Sequence, residues 1–187
     1  MLYNKNMLYN KNMLKEKNEI IGWLNYYEIE DYELIEDNEY GYVVNVNNNV
    51  NLWNIDLKSI DVKFNIINGG FNCGHNELES LEGCPEIVKG NFACLLNNIT
   101  SLKHSPKEVV GEFIIGYNNL QINEIIDYLP NEITYIDVSG NLELKEISDI
   151  VEVEEFKEKL KIIISKYNIK NVISSNKLKE AKSILKI

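Results

Sequence analysis

Four segments of this chain repeat one pattern at a constant interval of 21 residues, and a fifth follows the fourth after 23. They begin at Val50, Phe71, Phe92, Phe113 and Ile136. The second copy reads Phe71-Asn72-Cys73-Gly74-His75-Asn76-Glu77-Leu78-Glu79-Ser80-Leu81. Its pattern is two apolar residues flanking one outward residue, an Asn three positions on, and a later apolar pair. Side chains alternate across a strand, so the first two apolar residues face the same way. An Asn where the chain leaves the strand can satisfy backbone groups that have lost their ladder partners. The later pair, Leu78 and Leu81 here, closes the coil from the other side. A single coil cannot bury these side chains, whereas a stack of coils can, so the constant interval predicts a solenoid.

The flanks read differently. The six residues Met1 to Asn6 recur unchanged from Met7 to Asn12, and residues 1–14 read as a polar, flexible tail. Residues 15–49 form an N-terminal unit. Ile20, Ile21, Trp23, Leu24 and Tyr27 recur at helical spacing, and alternating stretches at 32–35 and 40–46 around Glu36-Asp37-Asn38 predict a hairpin. The repeats occupy 50–144. Residues 145–187 are expected to close the far end with a helix over 151–167, an extended piece over 169–173 and a last helix over 175–185, with Ser174 or Ser175 as its N-cap.

The apolar-x-apolar-x-x-Asn-x-apolar-x-x-apolar pattern resembles the leucine-rich repeat. Leu78-Glu79-Ser80-Leu81-Glu82-Gly83-Cys84-Pro85 and the stretch from Leu102 to Phe113 are similar to leucine-rich-repeat proteins common in phages and prophages of low-GC bacteria. The fifth copy, with Leu129-Pro130-Asn131 ahead of Ile136, is similar instead to the Leu-Pro repeats of bacterial effector proteins. The resemblance covers about residues 24–142. It implies an α/β solenoid of about five repeats with a helix-plus-hairpin cap at its start and a helical, Lys-rich cap at its end. Fold does not assign function, and this scaffold serves many partners.

A net charge of -10 disfavours a phosphate backbone or an anionic membrane as partner. All 19 basic residues are Lys, so the bidentate guanidinium fork is missing as well. The bias towards Lys and Asn fits AT-rich coding. No apolar run reaches the length of a membrane span and no signal-peptide core is visible, so a cytoplasmic protein of a bacterial host is expected.

Chemistry-bearing clusters are sparse. Cys73 and Cys94 share one inward repeat position and read as small core residues, whereas Cys84, in a loop before Pro85, is the thiol expected to be accessible. No Cys-x-x-Cys pair supports a metal site, although His75 lies near Cys73 and His104 near Cys94. No phosphate-cradling loop or nucleophile elbow is found, and Glu30-Asp31 and Glu154-Glu155 read as solvated faces. Neither a catalytic residue, a cofactor nor a metal is therefore expected.

Two surfaces remain as candidates. The outward strand columns place Trp53, His75, Leu95, Leu96, Ile114, Tyr117 and Asn72 on the concave face, an apolar and aromatic patch suited to protein binding. The N-terminal unit carries Glu28, Glu30, Asp31, Glu33, Glu36 and Asp37. Residues 16–60 hold ten acids against two lysines, a balance of -8, and from Lys157 onward nine lysines oppose two acids, a balance of +7. A non-catalytic monomer that binds another protein is the expectation. Its specific form is occlusion of a basic, nucleic-acid-binding groove on a host defence nuclease, in the manner of an anti-CRISPR inhibitor. The alternative is a regulatory adaptor or virulence effector without inhibitory activity.

Overall fold

The computed structural model describes residues 13–120, 128–141 and 150–152. They form a β-solenoid of about four turns with a spacing of 21 residues per turn. One helix, α1 (Lys17–Tyr26), opens it, followed by strands β1 (Tyr32–Asp37) and β2 (Gly41–Val46). Each turn then contributes one short strand to either of two sheets. The front sheet holds β3 (Val50–Asn51), β5 (Phe71–Asn72), β7 (Phe92–Ala93), β9 (Glu112–Ile114) and β10 (Tyr135–Asp137) in parallel. Its last member, β11 (Ile150–Glu152), is antiparallel to β10. The back sheet runs β1, β2, β4 (Lys63–Ile67), β6 (Ile87–Val88), β8 (Glu108–Val109), parallel except for the β1–β2 hairpin.

The register is the one that the interval predicts: Val50 pairs with Phe71, Phe71 with Phe92, Phe92 with Phe113, and Phe113 with Ile136. Equivalent residues therefore stack into columns. Phe71, Phe92 and Phe113 form a ladder of rings with centroids 5.9 and 5.5 Å apart and interplanar angles of 5° and 21°. Beside it runs Leu52, Cys73, Cys94, Ile115 and Val138, and the far wall is Ile67, Val88 and Val109 from the back sheet. Leu57, Leu78, Ile99 and Leu120 complete the interior, and all of these side chains are buried.

The hairpin and α1 arise as their patterns require. Ile20, Trp23 and Leu24 of the helix are buried, and the Trp23 ring meets Phe64 of the first coil edge-on at 6.1 Å. Asp37 tightens the hairpin turn by accepting from the N–H groups of Glu39 and Tyr40. The N-terminal boundary moves: Leu14, expected in the tail, packs against the core, and its N–H donates to Asp61 O at 2.7 Å. The tail over 1–12 lies outside the described residues.

Two further expectations change. The return leg of each described turn is strand, not helix. At the far end, Val151 and Glu152 were expected to begin a helix, but they pair with Ile136 and Tyr135 instead, because β10 still offers an open edge at that point. Residues 153–187, including the rest of that helix and the last one, lie outside the described residues.

A partly buried ion pair stitches the back of the coils. Lys63, 6% exposed, reaches Glu86 at 2.9 Å and the carbonyl of Cys84 at 2.7 Å, while Lys107 approaches Glu86 from the next turn. Burial by itself raises the Glu86 carboxyl, but the hydrogen bonds from Lys107 and Lys63 outweigh it and hold the group below its ordinary value.

Candidate functional site

The front sheet ends in a corner that each coil builds in the same way. Asn54, His75, Leu96 and Tyr117 take positive φ angles of 54°, 54°, 56° and 53°. Their N–H groups continue the sheet ladder for one more rung, donating to Gly74, Leu95, Gly116 and Ser139 carbonyls. Strict alternation would send His75 inward and Asn76 outward. A left-handed residue at this point reverses both, so the corner side chain faces solvent and the Asn turns into the coil.

That inward Asn is the coil's main polar fastening. Asn97 donates to the carbonyls of Cys73 and Cys94 and accepts from the N–H of Leu78. Asn118 repeats this one coil later with Cys94, Ile115 and the N–H of Ile99, and Asn141 with Ile115, Val138 and the N–H of Leu120. A carboxamide carries both a donor and an acceptor on one short stem, which the site demands. Each Asn oxygen serves the coil before its own while its amide nitrogen bridges that coil to its own: Asn76 accepts from the N–H groups of Ile55 and Leu57 and donates to the carbonyls of Leu52 and Cys73. The first copy has Ile55 in this place, and no earlier coil of this kind offers an N–H for an amide oxygen there.

The corner column and the position before it gather most of the concave candidates. Trp53 is 39% exposed, Leu96 40% and Tyr117 56%, and His75 is exposed too. Leu95, Ile114 and Asn72 are half-buried beside them. The rings lie down on glycines of the next coil. A Cβ on Gly74 would stand 2.6 Å from the Trp53 ring, and one on Gly140 2.5 Å from the Tyr117 ring. His75 stacks on Trp53 with centroids 5.5 Å apart, and its Nδ1 bonds Asn54 Oδ1. Asn72 Oδ1 accepts from the N–H of Gly74. The result is a stripe of aromatic and apolar side chains along the solenoid axis, four coils long at about 4.8 Å per coil.

Left-handed backbone costs a residue with a Cβ about 1–2 kcal/mol. Leu96→Gly should therefore leave stability unchanged or raise it by up to about 1 kcal/mol, since relief of strain is opposed by glycine's greater loss of chain entropy. Gly140→Leu, at the equivalent place under the Tyr117 ring, should destabilise. Thermal unfolding of both variants reads the asymmetry, and equal losses would show that the corner stores no strain.

The acidic candidates divide into two groups. Asp31 accepts from the side-chain amides of Asn47 and Asn48, and Asp37 caps the hairpin turn, so both are occupied structurally. Glu28, Glu30, Glu33 and Glu36 are exposed and form no ion pair with a described lysine. Glu154 and Glu155 lie outside the described residues.

Cys84 departs from expectation. It is fully buried, because the turn before β6 folds over the core instead of looping into solvent. Cys73 and Cys94 are buried where the repeat puts them, and all three thiols are free. A hydrogen bond with Cys84, and then burial, push the Cys73 thiol well up; burial does the same to Cys94. Since thiolate is the reactive form, native protein should take up a thiol reagent at pH 7 at least about a thousandfold more slowly than urea-unfolded protein, the factor for opening worth about 4 kcal/mol. Rapid labelling of one thiol in the native state would show a local opening at Cys84.

The left-handed corner was not anticipated. Its signal was present: Gly140 in the fifth copy stands where the others carry Asn54, His75, Leu96 and Tyr117. The exposed Ile35, Val110 and Tyr135 were also missed. Among the described residues, no three His, Cys, Asp or Glu side chains converge on one point, and no helix is long and apolar enough to cross a membrane. Comparison of the chain with family models, curated proteins and solved structures returns no match.

Proposed function

We propose that the chain is a protein-binding leucine-rich-repeat module that acts by covering a partner's surface, without catalysing a reaction. The observation that carries this reading is the stripe of Trp53, His75, Leu96 and Tyr117, in which the last three hold their outward placement on left-handed backbone in three successive coils, with Asn54 at the equivalent place beside Trp53 in the first. Apolar and aromatic side chains kept in solvent by strained backbone are wasteful for folding alone, and Trp and Tyr are favoured interface anchors. The Asn fastenings and the 21-residue turn support the leucine-rich-repeat identity. In this reading α1 and the hairpin cap the first coil. The specific target we propose is a host defence nuclease complex, met by a phage- or prophage-encoded inhibitor. Support comes from the resemblance of the repeats and from the exposed acids Glu28, Glu30, Glu33 and Glu36, which suit a basic groove.

The test is capture of partners from a lysate of the native host, followed by single substitutions. Trp53→Ala, Leu96→Asp and Tyr117→Ala should each weaken the captured complex about thirtyfold, the factor for an interface anchor worth about 2 kcal/mol. Each should leave the thermal midpoint nearly unchanged; aspartate even tolerates the left-handed corner better than leucine. Unchanged affinity in all three variants would remove the stripe from the interface. If purified protein binds and inhibits no nucleic-acid-guided effector while capture returns an unrelated protein, the inhibitor reading fails and an adaptor remains.

A further inference from the structure

The hairpin presents one strand edge that no described strand covers. Asn47 N donates to Asp31 O, and the antiparallel register continues Glu33 with Asn45, Ile35 with Val43 and Asp37 with Gly41. Hydrogen-bonded and non-bonded pairs alternate in such a ladder. The N–H and C=O groups of Tyr32, Leu34 and Glu36 therefore point away from β2, along the outer edge of the back sheet, where β1 is the terminal strand. This edge is six residues long, whereas β3, the first strand of the front sheet, has two. Its solvent face carries Glu33 and Ile35, the latter 43% exposed.

An open edge of this length is a template for another strand. The surrounding charge decides which strand. Residues 28–39 contain seven acids and no lysine. A second copy of β1 docking antiparallel would set Glu33 and Glu36 against their own kind, which disfavours self-pairing. A strand bearing lysine or arginine at alternate positions gains where the self-pair loses. Its intervening apolar residues can rest beside Ile35.

We propose that β1 accepts an extended lysine- or arginine-rich segment of a partner protein as a sixth strand of the back sheet. Main-chain pairing to Tyr32, Leu34 and Glu36 sets the register, and Glu33 with its acidic neighbours selects the basic side chains. This surface is separate from the corner stripe, so the two can fail independently.

The probe is a synthetic ten-residue peptide of alternating Lys and Val, added to the full chain at low salt. One control replaces Lys by Glu; a second methylates two consecutive backbone nitrogens at its centre, which blocks both of its edges while keeping its charge. The Lys peptide should bind at least about tenfold more tightly than either control and weaken as salt is raised. Amide exchange followed by NMR should slow about tenfold or more at Tyr32, Leu34 and Glu36. Glu36→Pro removes an outward N–H at a position that the β1–β2 ladder does not use, so binding should fall about tenfold with the fold retained. Trp53→Ala and Tyr117→Ala should leave peptide binding unchanged. The proposal is overturned if the methylated peptide binds equally well, if the Lys peptide does not bind at all, or if the stripe variants abolish its binding. Slow exchange at the three amides before any peptide is added would overturn it too, since the edge would already be taken.

Discussion

Phe92→Ala should destabilise the protein by about 3–5 kcal/mol and cause its largest single loss of cooperativity. Phe92 is fully buried, and its ring is sandwiched between Phe71 and Phe113, so truncation removes two stacking contacts and opens a cavity that neither coil can collapse into without breaking register. In a stack of coils, stability comes from each coil plus its interfaces with its neighbours, and Phe92 sits at two such interfaces. The companion measurement is Tyr117→Ala, on the opposite side of the same sheet with 56% of its surface exposed. Its loss should be below about 1 kcal/mol. Urea titrations of both variants would decide the point, and equal losses would mean that Tyr117 belongs to the core.

Asn118→Leu should cost about 2–4 kcal/mol although the side chain changes little in size. Asn118 is 4% exposed and donates to the carbonyls of Cys94 and Ile115 at 3.1 Å while accepting from Ile99 N–H at 3.0 Å. Leucine leaves the Ile99 N–H buried without its partner, at about 1–3 kcal/mol, and takes one of two side-chain donors from the Cys94 and Ile115 carbonyls, which keep Asn97 and Asn141. Asn118→Asp should be no better at neutral pH, since it keeps the acceptor but sets a negative charge against carbonyl oxygens. The contrasting substitution is Ile55→Asn, at the same place in the first copy. It should give little gain, because no preceding coil offers an N–H to its oxygen and the Leu52 carbonyl of its own coil already accepts from Asn76. A gain comparable to the Asn118 loss would show that the bonds within its own coil, and not those to the preceding one, carry the asparagine's contribution. Chemical denaturation of the three variants separates these outcomes.

Much of the core was legible because its signal is local and repeated. Phe71, Cys73, Leu78 and Leu81 recur with their equivalents at one spacing, and a solenoid is close to one-dimensional: the spacing along the chain is the pairing in space. The hairpin was legible for the same reason, since period-two alternation around Asp37 needs only its own turn. Cys84 was misread because its exposure depends on how the turn before β6 closes over Ile60 and Leu81, and no repeat position reports on that. Val151 and Glu152 were misread because an open edge at β10 outcompetes a local helical pattern.

The corner stripe divides in the same way. That Trp53, Leu96 and Tyr117 face outward could be read from the repeat pattern, but the reason they do so was not in any one copy. Only the stacked coils show that a left-handed residue turns Asn76, Asn97 and Asn118 inward and their neighbours outward. The same stacking lays the Trp53 and Tyr117 rings on Gly74 and Gly140. Likewise the acids of 28–39 are plain in the sequence, yet only the folded hairpin ties Asp31 to Asn47 and Asn48 and Asp37 to the turn, and leaves the edge at Tyr32, Leu34 and Glu36 open. Periodicity along the chain determines which residues stack, because the coils repeat. What each corner and edge presents to a partner is decided between coils, where backbone geometry and neighbouring side chains meet.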